Sequence, residues 1–290
     1  MIRARLARVE LGDGLPVRIM GVINVSPESF YKGSVRTGRD QVAEAAVRLV
    51  EEGADVIDVG ARSTAPYLNT AIPLEEERRR MVEAVRAVKD SVDAPVSADT
   101  TSSLVAEAAL RAGAEIVNDV SGLKGDPAMA RVVADHHASV IVCARGAGPA
   151  RGRPVRRVVD ALRESLRIAA LAGIDEELVA VDPAIGFFRL PEYPWYLWDC
   201  EVIAGLAEVR RETGRPICIG VSRKSFIGAL LGYERPEDRL YGSLSATAIA
   251  VFNGADLVRT HDVAATRDAV RMAESIRRAA ALGSGPPSQG

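Results

Sequence analysis

The sequence predicts an α/β protein built as a (β/α)8 TIM barrel, and three observations lead to this fold class. Short apolar runs rich in β-branched residues alternate with longer segments of helical periodicity, the pattern of repeated βα units. Eight such runs and their crossovers occupy about 265 residues, close to the ~250 residues typical of this barrel. Neither Gly-x-Gly-x-x-Gly nor Gly-x-x-x-x-Gly-Lys-Ser/Thr occurs, which disfavours the doubly wound sheet.

The predicted elements follow one another regularly along the chain. The strands are the apolar, β-branched runs at residues 18–24, 55–60, 95–99, 115–118, 139–145, 178–182, 216–222 and 256–259. The helices are the segments of helical periodicity near 39–52, 74–90, 101–112, 127–135, 155–172, 200–213, 225–252 (broken) and 263–281. Four turns between a helix and the next strand begin with a glycine, the usual C-terminal stop of a helix: Gly53, Gly113, Gly173 and Gly254.

Three segments lie outside this repeat. Residues 2–17 predict a small hairpin that turns at residues 12–14 and closes the N-terminal end of the barrel. Residues 193–198 (YPWYLW) hold the one aromatic cluster, which predicts either a packed loop anchor or a lid or subunit contact. Residues 283–290 are rich in Gly, Pro and Ser and predict a disordered tail, so residues 1–282 are expected to form a single domain.

The composition excludes several classes of protein. The 37 Lys and Arg residues against 39 Asp and Glu give a net charge of −2, which argues against binding nucleic acid through phosphate contacts. No run of 18 apolar residues is present, so no membrane span is expected, and the N-terminus shows no secretory signal. Three widely spaced cysteines fit a reducing cytoplasm better than a disulfide framework. Without Cys-x-x-Cys or His-Glu-x-x-His, a zinc site has no support.

The residues at the predicted strand ends are nearly all polar, although the strands themselves are apolar. In order along the chain they are Asn24, Asp58, Asp99, Asn118, Arg145, Asp182, Ser222 to Lys224, and Arg259 with His261. In a barrel these ends converge on one face, where the active site lies. Taken alone, Asp99 or Asn118 also fits a helix cap. All eight ends together are better explained by a shared pocket.

The strand-end residues divide into two groups by their chemistry. Acceptors and donors suited to a flat heterocycle with N–H groups and a carbonyl come from Asp99, Asn118, Asp182 and Lys224. Groups suited to an oxyanion, alone or with Mg²⁺, come from Asn24, Arg259 and His261, and the loop residues Ser26 and Thr64 are expected to add phosphate contacts. The predicted substrate is therefore a small planar molecule that carries a phosphate or diphosphate. Loss of diphosphate to leave a carbocation suits carboxylates around the ring and cations around the leaving group.

Seven segments resemble, in order, the signatures of the dihydropteroate synthase family. They are residues 23–30 (INVSPESF), 58–60 (DVG) with 63–64 (ST), 96–100 (VSADT), 117–122 (VNDVSG), 182–187 (DPAIGF), 220–226 (GVSRKSF) and 259–263 (RTHDV). The resemblance extends over residues 19–263. A corrinoid-linked methyltransferase shares such a pterin pocket, but the segment at residues 24–30 is more similar to the synthase signature.

The resemblance implies a transferase that joins 6-hydroxymethyl-7,8-dihydropterin diphosphate to p-aminobenzoate, releasing diphosphate in folate biosynthesis. It implies pterin contacts for Asp99, Asn118, Asp182 and Lys224. It implies diphosphate contacts for Asn24, Thr64, Arg259 and His261, with Asn24 beside Mg²⁺, and second-substrate contacts for Ser222 and Lys224. Catalytic roles are implied for Asp99, Asp182, Lys224, Arg259 and His261. The family is commonly homodimeric, so small-molecule substrates and a second copy of the chain are the expected partners.

The departures from the family signatures cluster in two loops. Lys32 replaces an acid in the first loop, and Ala65 replaces the arginine of the second loop, while Arg62 stands three positions earlier. The predicted pterin residues are retained. Two alternatives therefore stay open: a related pterin-dependent transferase with a different second substrate, and a pterin-binding protein without synthase turnover.

Overall fold

The computed structural model describes residues 1–26, 38–62, 72–145, 152–188 and 193–283. Its strands are β1 (Arg3–Leu6), β2 (Val9–Gly12), β3 (Arg18–Asn24), β4 (Val56–Gly60), β5 (Val96–Asp99), β6 (Ile116–Asp119), β7 (Ser139–Cys143), β8 (Val179–Asp182), β9 (Cys218–Ile219) and β10 (Leu257–Thr260). Its α-helices are α1 (Arg39–Glu52), α2 (Leu74–Lys89), α3 (Ser103–Arg111), α4 (Met129–Asp135), α5 (Pro154–Leu171), α6 (Trp195–Ala204), α7 (Leu206–Thr213), α8 (Ser225–Leu231), α9 (Leu240–Phe252) and α10 (Val263–Gly283).

The eight strands from β3 to β10 form one parallel sheet that closes on itself. Neighbours are paired in the order β8-β7-β6-β5-β4-β3-β10-β9, and a bridge between Val181 and Ile217 joins the two outer strands. The middle strands are buried along their whole length because helices cover the outside and side chains fill the interior. The predicted (β/α)8 barrel with a short N-terminal hairpin is confirmed.

The hairpin of β1 and β2 closes the N-terminal end of the barrel, as predicted. Leu6 and Leu11 are fully buried in one cluster with interior residues of the barrel, among them Met20. The predicted position of the turn is wrong. The strands are joined at Ala7 and Arg8, because Ser139 of β7 accepts a hydrogen bond from the Ala7 N–H (2.9 Å) and fixes the left-handed Ala7 (φ 53°).

Several predicted boundaries also differ from the structure. The strand predicted at residues 139–145 ends at Cys143, and the one predicted at 216–222 keeps only two residues as β9. The helix predicted at 200–213 is two helices, α6 and α7, with Gly205 between them. A side chain at Gly205 would lie 2.4 Å from Val155, so only glycine lets α5 approach this break. The predicted break within residues 225–252 is confirmed by the separation of α8 from α9.

The aromatic cluster anchors the chain that follows β8. Trp198 is only 2% exposed, Phe188 stacks on it at 4.8 Å, and Tyr193 meets it edge-on at 5.8 Å. The guanidinium of Arg157 on α5 lies 5.3 Å from the ring centre. Of the two interpretations left open, packing supports the loop anchor for Trp198.

In the part of the chain that the structure describes, no helix combines the length and the apolar character needed to cross a membrane. Its cysteines, Cys143, Cys200 and Cys218, are free thiols. Helix α10 continues to Gly283, so the predicted tail begins one residue too early, and its remainder, residues 284–290, lies outside the described residues.

Candidate functional site

Polar residues form a row across the carboxyl ends of four neighbouring strands. Asn24 of β3 pairs with Gly60 of β4, Gly60 with Asp99 of β5, and Asp99 with Asn118 of β6. Residues in register on neighbouring strands lie side by side across the sheet. Asn24, Asp99 and Asn118 therefore stand at one edge, which we call the carboxyl rim together with Asp182 at the end of β8.

Gly60 keeps the space within this row open. A Cβ atom on Gly60 would lie 3.1 Å from Oδ1 of Asn24 and 4.0 Å from Oδ2 of Asp99. Any larger residue at position 60 would separate the amide of Asn24 from the carboxylate of Asp99. The two oxygens thus face a shared gap at the rim.

Arg259 of β10 connects the acids of two other strands, β4 and β5. Its Nε lies 2.7 Å from Oδ2 of Asp58, and its Nη2 lies 2.9 Å from Oδ2 of Asp99. Nδ2 of Asn118 donates to the same Asp58 oxygen at 3.4 Å. Asp58 is 0% exposed, so the ion pair is deeply buried on its acidic side. One guanidinium therefore serves two carboxylates.

This sharing leaves the two acids with unused acceptors. Burial raises the pKa of Asp99 to about 7; Arg259 opposes the rise, and the neighbouring carboxylate of Asp58 adds to it. Burial alone would lower the pKa of Arg259, but the carboxylates of Asp58 and Asp99 outweigh it, so the pKa lies above its ordinary value. Within the described part of the chain, Oδ1 of Asp58 and Oδ1 of Asp99 are buried and accept no hydrogen bond. Such atoms are costly to leave unsatisfied, so they are acceptors ready for a ligand's N–H groups.

The raised pKa of Asp99 predicts a pH-dependent stability. Between the ordinary aspartate value of 3.8 and about 7, the folded protein holds a proton that the unfolded chain has released. The free energy of unfolding therefore falls as the pH rises through this window. We expect Asp99→Asn to flatten this slope, measured as urea midpoints at a series of pH values. An unchanged slope in the variant would contradict the assignment.

The second half of the rim contains Asp182 and Lys224. Asp182 pairs with Cys143 of β7, and its Oδ1 accepts the Ala184 N–H at 2.7 Å. Burial raises the pKa of Asp182 while Lys224 opposes the rise, and burial lowers the pKa of Lys224 while Asp182 opposes the fall. A Cβ atom on Gly220 would lie 3.8 Å from Nζ of Lys224 and 3.9 Å from Cδ of Arg259. Gly220 thus lies where the two halves of the site meet.

Ser222 and His261 form a hydrogen-bonded pair beside these groups. Oγ of Ser222 lies 2.9 Å from Nδ1 of His261. Burial, together with the cations Arg259, Arg223 and Lys224, lowers the pKa of His261 to about 3. The imidazole is therefore neutral near pH 7 and acts as a hydrogen-bonding group without charge.

Arg62, which stands three positions before Ala65 in the second loop, is held just beyond the end of β4. Its Nε bonds to Glu77 of α2 at 2.9 Å, and its Nη2 bonds to Thr101 at 3.1 Å. Glu77 is 4% exposed and also accepts from Thr100. The positive charge of Arg62 opposes the rise in the pKa of Asp99. The predicted residues Lys32, Thr64 and Ala65 lie outside the described residues.

Comparison with known proteins decides the family. A family model described as a pterin binding enzyme matches residues 20–261. The chain is 34% identical over 275 residues to the dihydropteroate synthase of Clostridium beijerinckii, with 94% of this chain and 99% of that protein covered. The chain belongs to the dihydropteroate synthase family. It is a transferase of the dihydropteroate synthase type, as its motifs imply.

Solved structures of dihydropteroate synthases share the fold. The enzyme of Xanthomonas albilineans with 4-aminobenzoic acid is 36% identical, with a TM-score of 0.81 over 98% of this chain and 99% of that chain. The enzyme of Clostridium difficile in the presence of pteroic acid is 34% identical, with a TM-score of 0.81 over 91% and 97%. These enzymes belong to folate biosynthesis, and the resemblance derived from the motifs is confirmed.

The synthase motifs did not assign every residue that the geometry brings into the site. Asp58 is noted as a strand end but given no role, although it is the buried partner of Arg259. Its signal was a charged residue within the otherwise apolar strand VIDVG. Arg145, also noted as a strand end, is exposed and lies beyond β7. Among the residues described, no group of three His, Cys, Asp or Glu side chains is placed to hold a metal ion.

Proposed function

We propose that this chain condenses 6-hydroxymethyl-7,8-dihydropterin diphosphate with p-aminobenzoate to form dihydropteroate and diphosphate. The proposal rests on one observation: hydrogen-bond acceptors and cations lie together at the same end of the barrel. Carboxylate oxygens without donors lie at Asp58 and Asp99, while the cations of Arg259 and Lys224 flank Gly220. A pterin diphosphate combines a ring rich in N–H donors with a strongly anionic leaving group, so it needs both.

The acidic side is proposed to hold the pterin ring. Asp99, Asp182 and the amide of Asn118 would accept from and donate to the hydrogen-bonding edge of the ring. Hydrogen bonds to charged acceptors are the stronger kind, and burial increases their strength. The carboxylates of Asp99 and Asp182 would also stabilise the positive charge that develops on the pterin methylene group.

The basic side is proposed to hold the diphosphate, with contacts from Asn24, Thr64, Arg259 and His261. Mg²⁺ commonly binds through one or two protein oxygens together with substrate phosphates and water. Oδ1 of Asn24, beside the gap above Gly60, fits such a shared site. When bound, Mg²⁺ would neutralise charge on the leaving diphosphate. The neutral imidazole of His261, held through Nδ1 by Ser222, would donate or accept without adding charge.

The proposed reaction has two bond changes. The bond between the pterin methylene carbon and the diphosphate oxygen breaks first, and diphosphate leaves with the electron pair. The amine nitrogen of p-aminobenzoate then attacks the cationic carbon, and the amine proton passes to solvent. Ser222 and Lys224 are proposed to receive this second substrate, because the ammonium of Lys224 lies 5.1 Å from the ring centre of Phe187. A cation beside an aromatic ring suits an aromatic carboxylate.

The test is an assay with the pterin diphosphate, Mg²⁺ and p-aminobenzoate, following both diphosphate and dihydropteroate. We expect equal amounts of the two products, and loss of both when the metal is chelated. Diphosphate release only with another amine would favour a transferase with a different second substrate. Tight pterin binding without release would favour a binding protein.

We propose a homodimer formed through α8, α9 and α10. These neighbouring helices expose large apolar side chains, which a monomer rarely shows together: Leu230, Leu231, Tyr241, Ile249, Phe252, Met272 and Ile276. Tyr241, Ile249 and Phe252 follow one stripe of α9. Apolar side chains exposed on adjacent helices in this way fit a second copy of the chain.

A single substitution on α9 tests the proposed dimer interface. Ile249→Asp places a charge in the apolar surface, so we expect the mass measured by light scattering to fall from that of a dimer to that of a monomer. Leu104→Asp on α3 is the matched control, because Leu104 is equally exposed, at 55%, on another side of the barrel. A monomeric wild type, or a dimer unaffected by Ile249→Asp, would contradict the proposed interface.

Two broader proposals complete the assignment. Residues 1–282 are proposed to act as one domain, because the hairpin, the barrel strands and the helices pack into connected hydrophobic clusters. A cytoplasmic location is proposed, because free thiols at Cys143, Cys200 and Cys218 suit a reducing compartment.

A further inference from the structure

Helix α6 carries a buried acid that none of the proposed substrate contacts includes. Asp199 is 0% exposed, and its Oδ1 accepts the Gly186 N–H at 2.8 Å. Aspartate is almost never fully buried unless it is paired. Gly186 belongs to the turn that follows β8, directly after Asp182. The carboxylate of Asp199 therefore fixes the backbone of a turn that leads out of the pocket.

The same turn holds Lys224 through three consecutive residues. The carbonyl oxygen of Ile185 accepts a hydrogen bond from Nζ of Lys224 at 2.5 Å. Gly186 has φ +83°, and a Cβ atom there would lie 3.1 Å from Cδ of Lys224, so the lysine stem packs against the glycine. The ring of Phe187 lies 5.1 Å from the ammonium. The position of the ammonium thus depends on the path of residues 185–187.

Two residues of α6 contact the turn that follows β8. Asp199 bonds to Gly186, and Trp198 beside it stacks on Phe188 at 4.8 Å. We propose that Asp199 is a positioning residue, which fixes the turn at residues 185–187 and through it the ammonium of Lys224. This inference rests on the proposed function only in naming what Lys224 binds.

The charge of Asp199 also acts on Lys224. Burial lowers the pKa of the ammonium, and Asp182, Cys143 and Asp199 oppose the fall, while Arg259 adds to it. These groups come from β8, β7, α6 and β10, the elements packed around the lysine. Removing the charge of Asp199 should therefore let Lys224 lose its proton at a lower pH.

The test compares Asp199→Asn with Asp199→Ala, and Glu201→Gln serves as the control on the same helix. Asparagine keeps an acceptor for the Gly186 N–H and removes only the charge, whereas alanine removes both. Glu201 is paired instead with Tyr193 and Arg153, to which its two carboxylate oxygens bond. The proton affinity of Lys224 is measured by trace acetylation at a series of alkaline pH values. Peptide mass spectrometry gives the fraction of Lys224 that is labelled at each pH, and this measurement does not depend on enzyme turnover.

We expect the half-labelling pH of Lys224 to fall in Asp199→Asn and in Asp199→Ala, because each variant removes the charge, and to stay unchanged in Glu201→Gln. In the synthase assay, kcat/KM for p-aminobenzoate should fall about tenfold in Asp199→Ala and be largely rescued in Asp199→Asn near neutral pH. An unchanged half-labelling pH of Lys224 in Asp199→Ala, which also lacks the acceptor for the Gly186 N–H, would overturn the inference. Absence of turnover in the wild type would instead contradict the proposed function and leave the labelling result to decide this one.

Discussion

Replacing Arg259 by methionine is expected to lower the free energy of unfolding by about 3–5 kcal/mol, because loss of one partner leaves the other buried charge uncompensated. Arg259 bonds to Asp58 at 2.7 Å and to Asp99 at 2.9 Å, and Asp58 has no exposed surface. The measurement is urea unfolding near neutral pH. The deficit should shrink at acid pH, where Asp99 takes up a proton.

Arg259→Lys is the informative control. Lysine keeps the charge but cannot reproduce a planar fork that serves two carboxylates, so a smaller loss of stability is expected. The lysine variant should also lose more affinity for diphosphate-bearing ligands than for the bare pterin. A methionine variant as stable as the wild type near neutral pH would show that the ion pairs with Asp58 and Asp99 contribute nothing.

Asp182→Asn is expected to weaken pterin binding about 10- to 100-fold with little change in stability. The Ala184 N–H that bonds to Asp182 finds an equivalent acceptor in asparagine, so the turn is retained. Burial raises the pKa of Asp182, so the fold itself gains little from the charge. Calorimetry with 6-hydroxymethylpterin measures the affinity, and urea midpoints measure the stability.

Asp126→Asn provides the comparison for Asp182→Asn. Asp126 also accepts backbone N–H groups, from Ser103 and Ala128, but it lies outside the rim. We expect its substitution to leave pterin affinity at the wild-type value. Equal affinity for wild type and Asp182→Asn would remove Asp182 from the pterin site.

The barrel could be predicted because its strands are buried on both faces and therefore appear as continuous apolar runs between helical segments. The position of the hairpin turn could not be predicted in the same way. The glycines at 12 and 14 match turn chemistry, yet the chain turns at Ala7, whose backbone is fixed by Ser139, 132 positions away. Local sequence rules do not include a contact of that kind.

In the site, too, some features could be predicted from the sequence and others could not. The polar ends of parallel strands predict that Asp99 and Asn118 stand side by side, because register follows from the fold. The pairing of Asp58 with Arg259 joins residues 201 positions apart and depends on how the barrel closes. Arg62 likewise acquires its place from Glu77, a residue of the next helix. The motifs thus identify the candidate ligands, while the three-dimensional contacts identify their partners.

The decisive measurement is a crystal structure of the protein with 6-hydroxymethylpterin. We expect the ring at the carboxyl rim, with its N–H groups within hydrogen-bonding distance of Asp99 and Asp182 and with Asn118 at its edge. A pterin bound elsewhere, or bound at the rim without contact to either aspartate, would contradict it.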